Sequence, residues 1–489
     1  MRMKYPDKLT RLRDGFYDIK DKQGKVVPFR MNEDQENFIL KRHGLDIILK
    51  ARQKGFTTVI QLDMLDDCLF KSNFAAGVIA HNLSDAKAFF RDKIKFAYDR
   101  LPQVFKEQVS AEQDAADSLR FSNGSSIRVG TSLRSGTLQA LHVSEYGKLC
   151  AKFPEKAEEV KTGAFNTVHV GQRITVESTA EGQGGHFYDL TEAARKRQEQ
   201  GVKLTEMDFM FHFYPWHTDE GYVLDADVTI TTEMKKYFDN LEGQGVKLSR
   251  QQKAWYVKKS EQQGDKIKRE YPATAKEAFE AAVEGAYLST QMTKVRKEGR
   301  ICKIPILDKP VYTTWDLGIN DDMCITFWQD VGVERRAIDY LADSGEGFAY
   351  YARKMQEKEY IYDYHEMPHD AAQRRLGKDA KSAKTHAEEA GIKPVRIVPR
   401  IANEGDGIEA SRTHLAQCWF DEERCSELIK CLDNFKREWD DKRSVWKDKY
   451  RHDEASHGYK SFETAAVAAE KHNPKDFNRK INYPKLGVA

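Results

Sequence analysis

The stretch KARQKGFTT, residues 50–58, sets basic residues, a glycine and two hydroxyls between a strand-like and a helix-like segment. Loop amides and a helix N-terminus at such a corner favour anionic phosphates. The phosphate-loop pattern GxxxxGK[ST] keeps its last glycine at Gly55, but Phe56 stands where the lysine belongs. Thr57 can still present a hydroxyl to Mg²⁺. A cation for the β- and γ-phosphates then has to come from Arg52 or Lys54, with Gln53 and Thr58 completing the ATP-binding loop. Taken alone, the segment also fits a plain strand–turn–helix corner.

Other segments supply matching chemistry. LQALHVSE, residues 138–145, is a strand ending in Ser144 and Glu145. In nucleotide hydrolases such a strand carries one acid for Mg²⁺ and often a second that orients the attacking water. Ser144 holds the first place and Glu145 the second. VESTAEG, residues 176–182, puts hydroxyls at a strand end, where they can sense the γ-phosphate. Gln35, in MNEDQENFI, either bonds an adenine edge or is a surface residue of a helix.

Carboxylates form the second constellation. Asp316 ends a strand in TTWDLGIND, Asp370 follows a strand in EMPHDAAQRR, and Asp453 precedes a helix in RHDEASHGYKSFETAA. Brought together, three such groups suit two Mg²⁺ or Mn²⁺ ions, one activating water and one stabilising a leaving phosphodiester oxygen. The seven cysteines show no CxxC pairing and the histidines no HExxH, so a disulfide framework or zinc site is not expected.

These groups need elements to position them. Over the first ~300 residues, strands at 46–51, 76–80, 138–143, 173–176 and 209–214 alternate with helices at 56–69 and 84–101. A hairpin is predicted at Asn123–Gly124. That alternation predicts an α/β fold with a mainly parallel sheet. After a linker at 297–310, three strands in a meander (311–316, 323–329, 336–341) precede helix, strand, helix, strand, helix, the element order of a ribonuclease H-like fold. The expected division is an ATPase domain at 1–296, the linker, a nuclease domain at 311–475 and a loose tail at 476–489. Hydrophobic residues at 40% supply real cores and exclude wholesale disorder. No apolar run approaches a membrane span and MRMKYPDKLTRLRDG carries no secretion signal, so a soluble intracellular protein is expected. A net charge of +2 does not exclude a nucleic-acid partner, since a basic groove can be balanced elsewhere.

In order and spacing, KARQKGFTT, LRFSNGSSI, LHVSEYGK, VESTAEGQGGHFY, HFYPW and EYPATAKEAFEAA resemble the large terminase subunit, the DNA-packaging ATPase of tailed bacteriophages. WDLG, PHDA and HDxxSHG resemble its nuclease half. The resemblance implies that Arg52 binds phosphate, Thr57 binds Mg²⁺ and Glu145 is the catalytic carboxylate. Ser178 and Thr179 couple hydrolysis to movement. Arg134 is either a charge-stabilising arginine finger or a surface or DNA-facing residue. Asp316, Asp370 and Asp453 become the nuclease metal ligands. Ser144 departs from the usual aspartate, and Lys460 replaces an acid common among relatives, which leaves Glu463 as a substitute or Asp453 sufficient. His452 and His457 support the site or merely cap and pack. The resemblance further implies double-stranded DNA, a portal protein and a small terminase subunit as partners, and a pentameric ring on the procapsid. It implies a place in the host cytoplasm, outside the mature virion. The alternatives are an ATP-independent recombination nuclease and a repair-type helicase-nuclease.

Overall fold

The computed structural model describes residues 5–280, 285–318, 322–373, 381–440, 443 and 445–472. The expected tail at 476–489 lies outside the described residues. By its contacts the chain divides into two compact units, Met1–Ala281 and Ala282–Ala489.

The first unit begins its nucleotide-site elements with helix α1 (Glu33–Lys41), then strand β1 (Leu45–Lys50) and helix α2 (Phe56–Phe70). There follow β2 (Ala75–Ile79), α3 (Leu83–Phe89), β3 (Ala111–Asp114), β4 (Ser118–Phe121), β5 (Ser126–Gly130) and β6 (Leu138–Ser144). Helix α4 (Tyr146–Lys152), β7 (Val168–Ser178), α5 (His186–Glu199) and β8 (Met210–Tyr214) complete the set. The eight strands lie in the order β8-β1-β7-β6-β2-β5-β4-β3. The six from β8 to β5 run parallel, while β4 and β3 are antiparallel additions at one edge. β1 is apolar on both faces because both are covered: Ile48 enters one core, Ile47 and Leu49 the other.

The helix expected over 84–101 is broken. Asn82 caps it by accepting the Asp85 amide, and after Phe89 the chain passes through a π-helical turn, Phe90–Lys95. The predicted hairpin is present as β4–β5.

In the second unit the helix α6 (Ser289–Lys297) is followed by β9 (Ile301–Cys302), β10 (Val311–Asp316), β11 (Asp322–Val331) and β12 (Glu334–Ser344). Then come α7 (Phe348–Glu357), β13 (Tyr362–Met367), α8 (Ala383–Glu389), β14 (Val395–Ile397), α9 (Glu404–Leu415), β15 (Cys418–Asp421), α10 (Ser426–Asn434), a hairpin of β16 (Arg437–Asp440) and β17 (Val445–Tyr450), and α11 (Glu454–His472). The sheet order is β9-β15-β12-β11-β10-β13-β14, with β10–β12 antiparallel and β13 and β14 parallel to β10. That is the ribonuclease H-like arrangement with two added edge strands. Residues 297–310 do not act as a free linker. β9 pairs with β15, Ile304 is buried, and Gln329 bonds the backbone at Leu307 and Lys309. Among the described residues no helix is long and apolar enough to cross a membrane. Six of the seven cysteines are buried, and Cys302 is half-buried.

Candidate active sites

The phosphate-loop segment forms the corner its spacing predicts. β1 ends at Lys50, the chain turns, and Gly55 (φ +75°) starts α2, whose first amides have no partners within the helix. Left-handed φ favours glycine there, and a Cβ on Gly55 would also run into the Gln35 carboxamide. The loop is braced from outside. Tyr222 donates its hydroxyl to the Arg52 carbonyl, the Arg52 amide donates to Glu270 at 2.8 Å, and Gln35 Nε2 donates to the Lys54 carbonyl at 3.1 Å. Gln35 is 5% exposed, and its Oε1 accepts the Asn32 amide in a capping box, so it is a brace and not a surface residue. Gln53, within the turn, takes a positive φ of 60°.

Phe56 is buried against Tyr214 and Phe38, with ring centroids 4.4 and 5.9 Å away, so the lysine position has become core. Lys54 is wholly buried, 2.5 Å from Asp34 and 2.7 Å from Thr218 Oγ1, which ties its ammonium away from the loop. Arg52 is 61% exposed and pairs with Glu270 at 3.3 Å. Thr58 Oγ1 accepts from Lys93 at 2.7 Å.

The centre of the constellation is a pair absent from the sequence reading. Glu177, fully buried near the end of β7, accepts from Thr57 Oγ1 at 2.8 Å and Ser144 Oγ at 2.7 Å. Lys50 Nζ stands 3.0 Å from Glu177 and 3.3 Å from Glu145. β1 and β6 flank β7 with both Ile48 and Ser144 in register with Glu177, which sets these groups side by side. Burial alone would push the Glu177 carboxyl up, yet Lys50, His142 and Ser144 hold it well below the usual carboxylate range. Burial likewise disfavours the Lys50 ammonium, but Glu177 and Glu145 raise its pKa above lysine's ordinary value. The available signal was a charged residue at the inner end of two apolar strands, DIILK and ITVES.

A buried pair stripped of one partner is strongly destabilised. Lys50→Met is therefore expected to cost about 3–5 kcal/mol in urea unfolding near neutral pH. The sign with pH is definite. In the wild type the depressed Glu177 pKa adds stability above the unfolded value of about 4.3, lost only as pH falls through the folded value. Without Lys50, burial raises that pKa, so the deficit of the variant should shrink on acidification.

Glu145 follows β6 with φ +54°, caps α4, and leaves its side chain 30% exposed opposite Lys50. A non-glycine residue in this region is held there by its surroundings. Ser178 and Thr179 are buried, and Gly147 of α4 packs so tightly that a Cβ would meet Ser178 Oγ at 2.9 Å. Arg134 is 61% exposed and pairs with Glu159 at 2.6 Å, on the surface.

In the second unit Asp316, at the end of β10, and Asp370, in the turn His369–Ala372 after the adjacent β13, line one cavity of about 410 Å³. Glu463, Lys460, Tyr450 and Glu404 line it too. Asp316 lies 3.4 Å from His457 Nδ1, and burial raises its carboxyl pKa, with Asp370 adding to the rise against His457 and Lys460. Glu463 is 5% exposed and accepts from Tyr459 at 3.0 Å and Lys460 at 2.5 Å.

Asp453 does not line the cavity, contrary to the sequence expectation. It caps α11: Oδ1 accepts the Ser456 amide at 3.2 Å, and Arg451 clasps Oδ2. A capping carboxylate folds back onto the first turn, whereas Glu463, ten positions on and about 15 Å along the axis, faces the cavity. The His452 ring lies 4.7 Å from that of Tyr450, tilted by 55°. Among the described residues no three His, Cys, Asp or Glu side chains already enclose a metal position. The cavity nevertheless suits a divalent cation, because the carboxylates Asp316, Asp370, Glu404 and Glu463 all line it.

Fold and sites together define the class, an α/β chain with a mainly parallel phosphate-loop sheet followed by a ribonuclease H-like domain. Solved structures similar to the chain are bacteriophage large terminases. That of HK97 is 13% identical, with TM-score 0.44, covering 94% of this chain and 99% of that one. The large terminase of a thermophilic bacteriophage, in complex with ADP, is 12% identical, with TM-score 0.32 and 89% and 98% covered. The nuclease domain of the SPP1 large terminase with bound Mn is 15% identical, with TM-score 0.26 and 35% and 94% covered. No protein-family model and no curated protein matches the chain.

Proposed function

We propose that the chain is a large terminase subunit, which drives double-stranded DNA into a procapsid at the expense of ATP and cuts concatemeric DNA with two divalent ions. The observation carrying this reading is the pairing, in one chain, of the Lys50–Glu145–Glu177–Thr57 cluster with the Asp316–Asp370–Glu463 cavity. ATP with Mg²⁺ sits on the loop 52–58. Thr57 would give its hydroxyl to the magnesium, Arg52 would engage phosphate, and Glu145 would orient water. Lys50, 3.3 Å away, aligns Glu145. Ser178 and Thr179, packed against α4, transmit the state of the site to the elements that move DNA. Arg134, exposed and paired with Glu159, would act as an arginine finger toward a neighbouring subunit of a ring.

In the nuclease domain Asp316, Asp370 and Glu463 hold the divalent ions, which when bound activate water and stabilise the leaving oxygen. His457 sits where it can take or give a proton beside Asp316. Contacts to DNA run mainly to phosphates, as a motor indifferent to sequence requires. The portal, a small terminase subunit and a pentameric assembly in the host cytoplasm complete the proposal.

The test is a defined assay of purified protein with procapsids, linear DNA, ATP and Mg²⁺. DNA-stimulated ATPase and nuclease-protected DNA inside procapsids are expected. Mn²⁺-dependent cleavage with no ATPase would instead favour a recombination nuclease. The third ligand has its own test. Glu463→Ala should lower Mn²⁺ affinity and cleavage by roughly 10- to 100-fold or more, since even supporting groups of metal sites carry that much. Asp453→Ala should leave metal affinity near wild type and cost about 1 kcal/mol of stability as a lost cap. Isothermal titration with Mn²⁺ and urea melts separate the two, and the reverse ranking returns the role to Asp453.

A further inference from the structure

We propose that Lys93 supplies, from within the same chain, the phosphate-binding ammonium that the loop lacks at Phe56. The inference rests on the ATPase reading above and concerns the phosphate chain of a nucleoside triphosphate. The nearby lysines are otherwise engaged, Lys50 with Glu145 and Glu177 and Lys54 with Asp34 inside the protein, while Arg52, 61% exposed and paired with Glu270, can meet phosphate only from the loop's outer side. Lys93 alone reaches the first turn of α2 without a carboxylate partner among the described residues. Its Nζ donates to Thr58 Oγ1 at 2.7 Å. It is half-buried, and burial lowers its pKa against attraction from Glu177 and Asp92, with Lys50 adding the smallest effect, a repulsion. Among the described residues neither carboxylate forms an ion pair with it.

The backbone supports the placement. Lys93 lies in the π-helical turn Phe90–Lys95, and such turns re-aim side chains and occur often at functional sites. The Thr58 hydroxyl belongs to the turn whose amides would cradle phosphate. It is the acceptor that a phosphate oxygen would replace or join. A lysine delivered from the helix after β2 thus restores the charge that the core aromatic at Phe56 removed.

The experiment is titration of the full chain with fluorescent ATP and ADP in Mg²⁺. Lys93→Met, which keeps the apolar stem, should bind ATP roughly 10- to 100-fold more weakly, the span of a lost charge-assisted hydrogen bond. Its melting temperature without nucleotide should not fall, because no ion pair is broken. Lys93→Arg should recover most of the affinity. On the wild-type chain, ATP with Mg²⁺ should protect Lys93 from amine acetylation read by mass spectrometry, a measurement that needs no variant. If wild type binds ATP while Lys93→Met binds it equally well, or Lys93 stays fully reactive under saturating ATP, the lysine assignment is overturned alone. If wild type binds no ATP, the ATPase reading falls with it.

Discussion

Glu145→Gln is expected to remove ATP hydrolysis, by about 10²- to 10⁴-fold in kcat, while ATP affinity stays within a few-fold of wild type. The carboxylate follows the end of β6, partly exposed, in a left-handed backbone conformation that aims it across to Lys50. Positioning and electrostatics supply nearly all phosphoryl-transfer catalysis, so loss of a water-orienting charge acts on the rate and not on ground-state binding. The amide is nearly isosteric, and Lys50 keeps Glu177 as its buried partner, so folding should be spared. A coupled ATPase assay beside nucleotide titration gives the answer. Near wild-type turnover in the variant would remove Glu145 from the chemistry.

Asp316→Asn should abolish metal-dependent DNA cleavage, by roughly a thousandfold or more, because a divalent ion contributes several kcal/mol of charge stabilisation that depends on its anionic ligands. Asp316 ends the central β10 beside His457. The amide matches the carboxyl in size, and removing a buried carboxyl of raised pKa should not destabilise the fold near neutral pH. ATP hydrolysis should persist in the same variant, since the two clusters lie in separate compact units. Plasmid nicking in Mn²⁺ and ATPase turnover on one preparation test both halves. Loss of both activities would refute the assignment of separate sites.

Much of this was legible from local signals. Alternating apolar segments located the parallel strands, and Asn123–Gly124 located the β4–β5 hairpin. Gly55 marked the turn because left-handed backbone leaves few other residues. Asp316 and Asp370 line one cavity because the first ends β10, the second lies three residues beyond β13, and the element order puts those strands side by side.

Other features depended on distances along the chain that no local pattern spans. Lys50 and Glu177 meet only because β7 inserts between β1 and β6, a sheet order that periodicity does not encode. Nothing in KARQKGFTT tells whether Phe56, Lys54 or Arg52 turns inward. The fold decides it by offering Tyr214 and Phe38 to the ring and Asp34 to the ammonium. Asp453 and Glu463 are equally acidic on paper, but the start of α11 makes the first a cap, and the helix phase turns the second into the cavity. The sequence by itself determined where the parallel strands and the β4–β5 hairpin form, because those rest on short-range geometry and apolar spacing. The tertiary structure alone decided which charges share a site, because a buried charge takes its state from neighbours that only strand order and helix phase bring within a few ångströms.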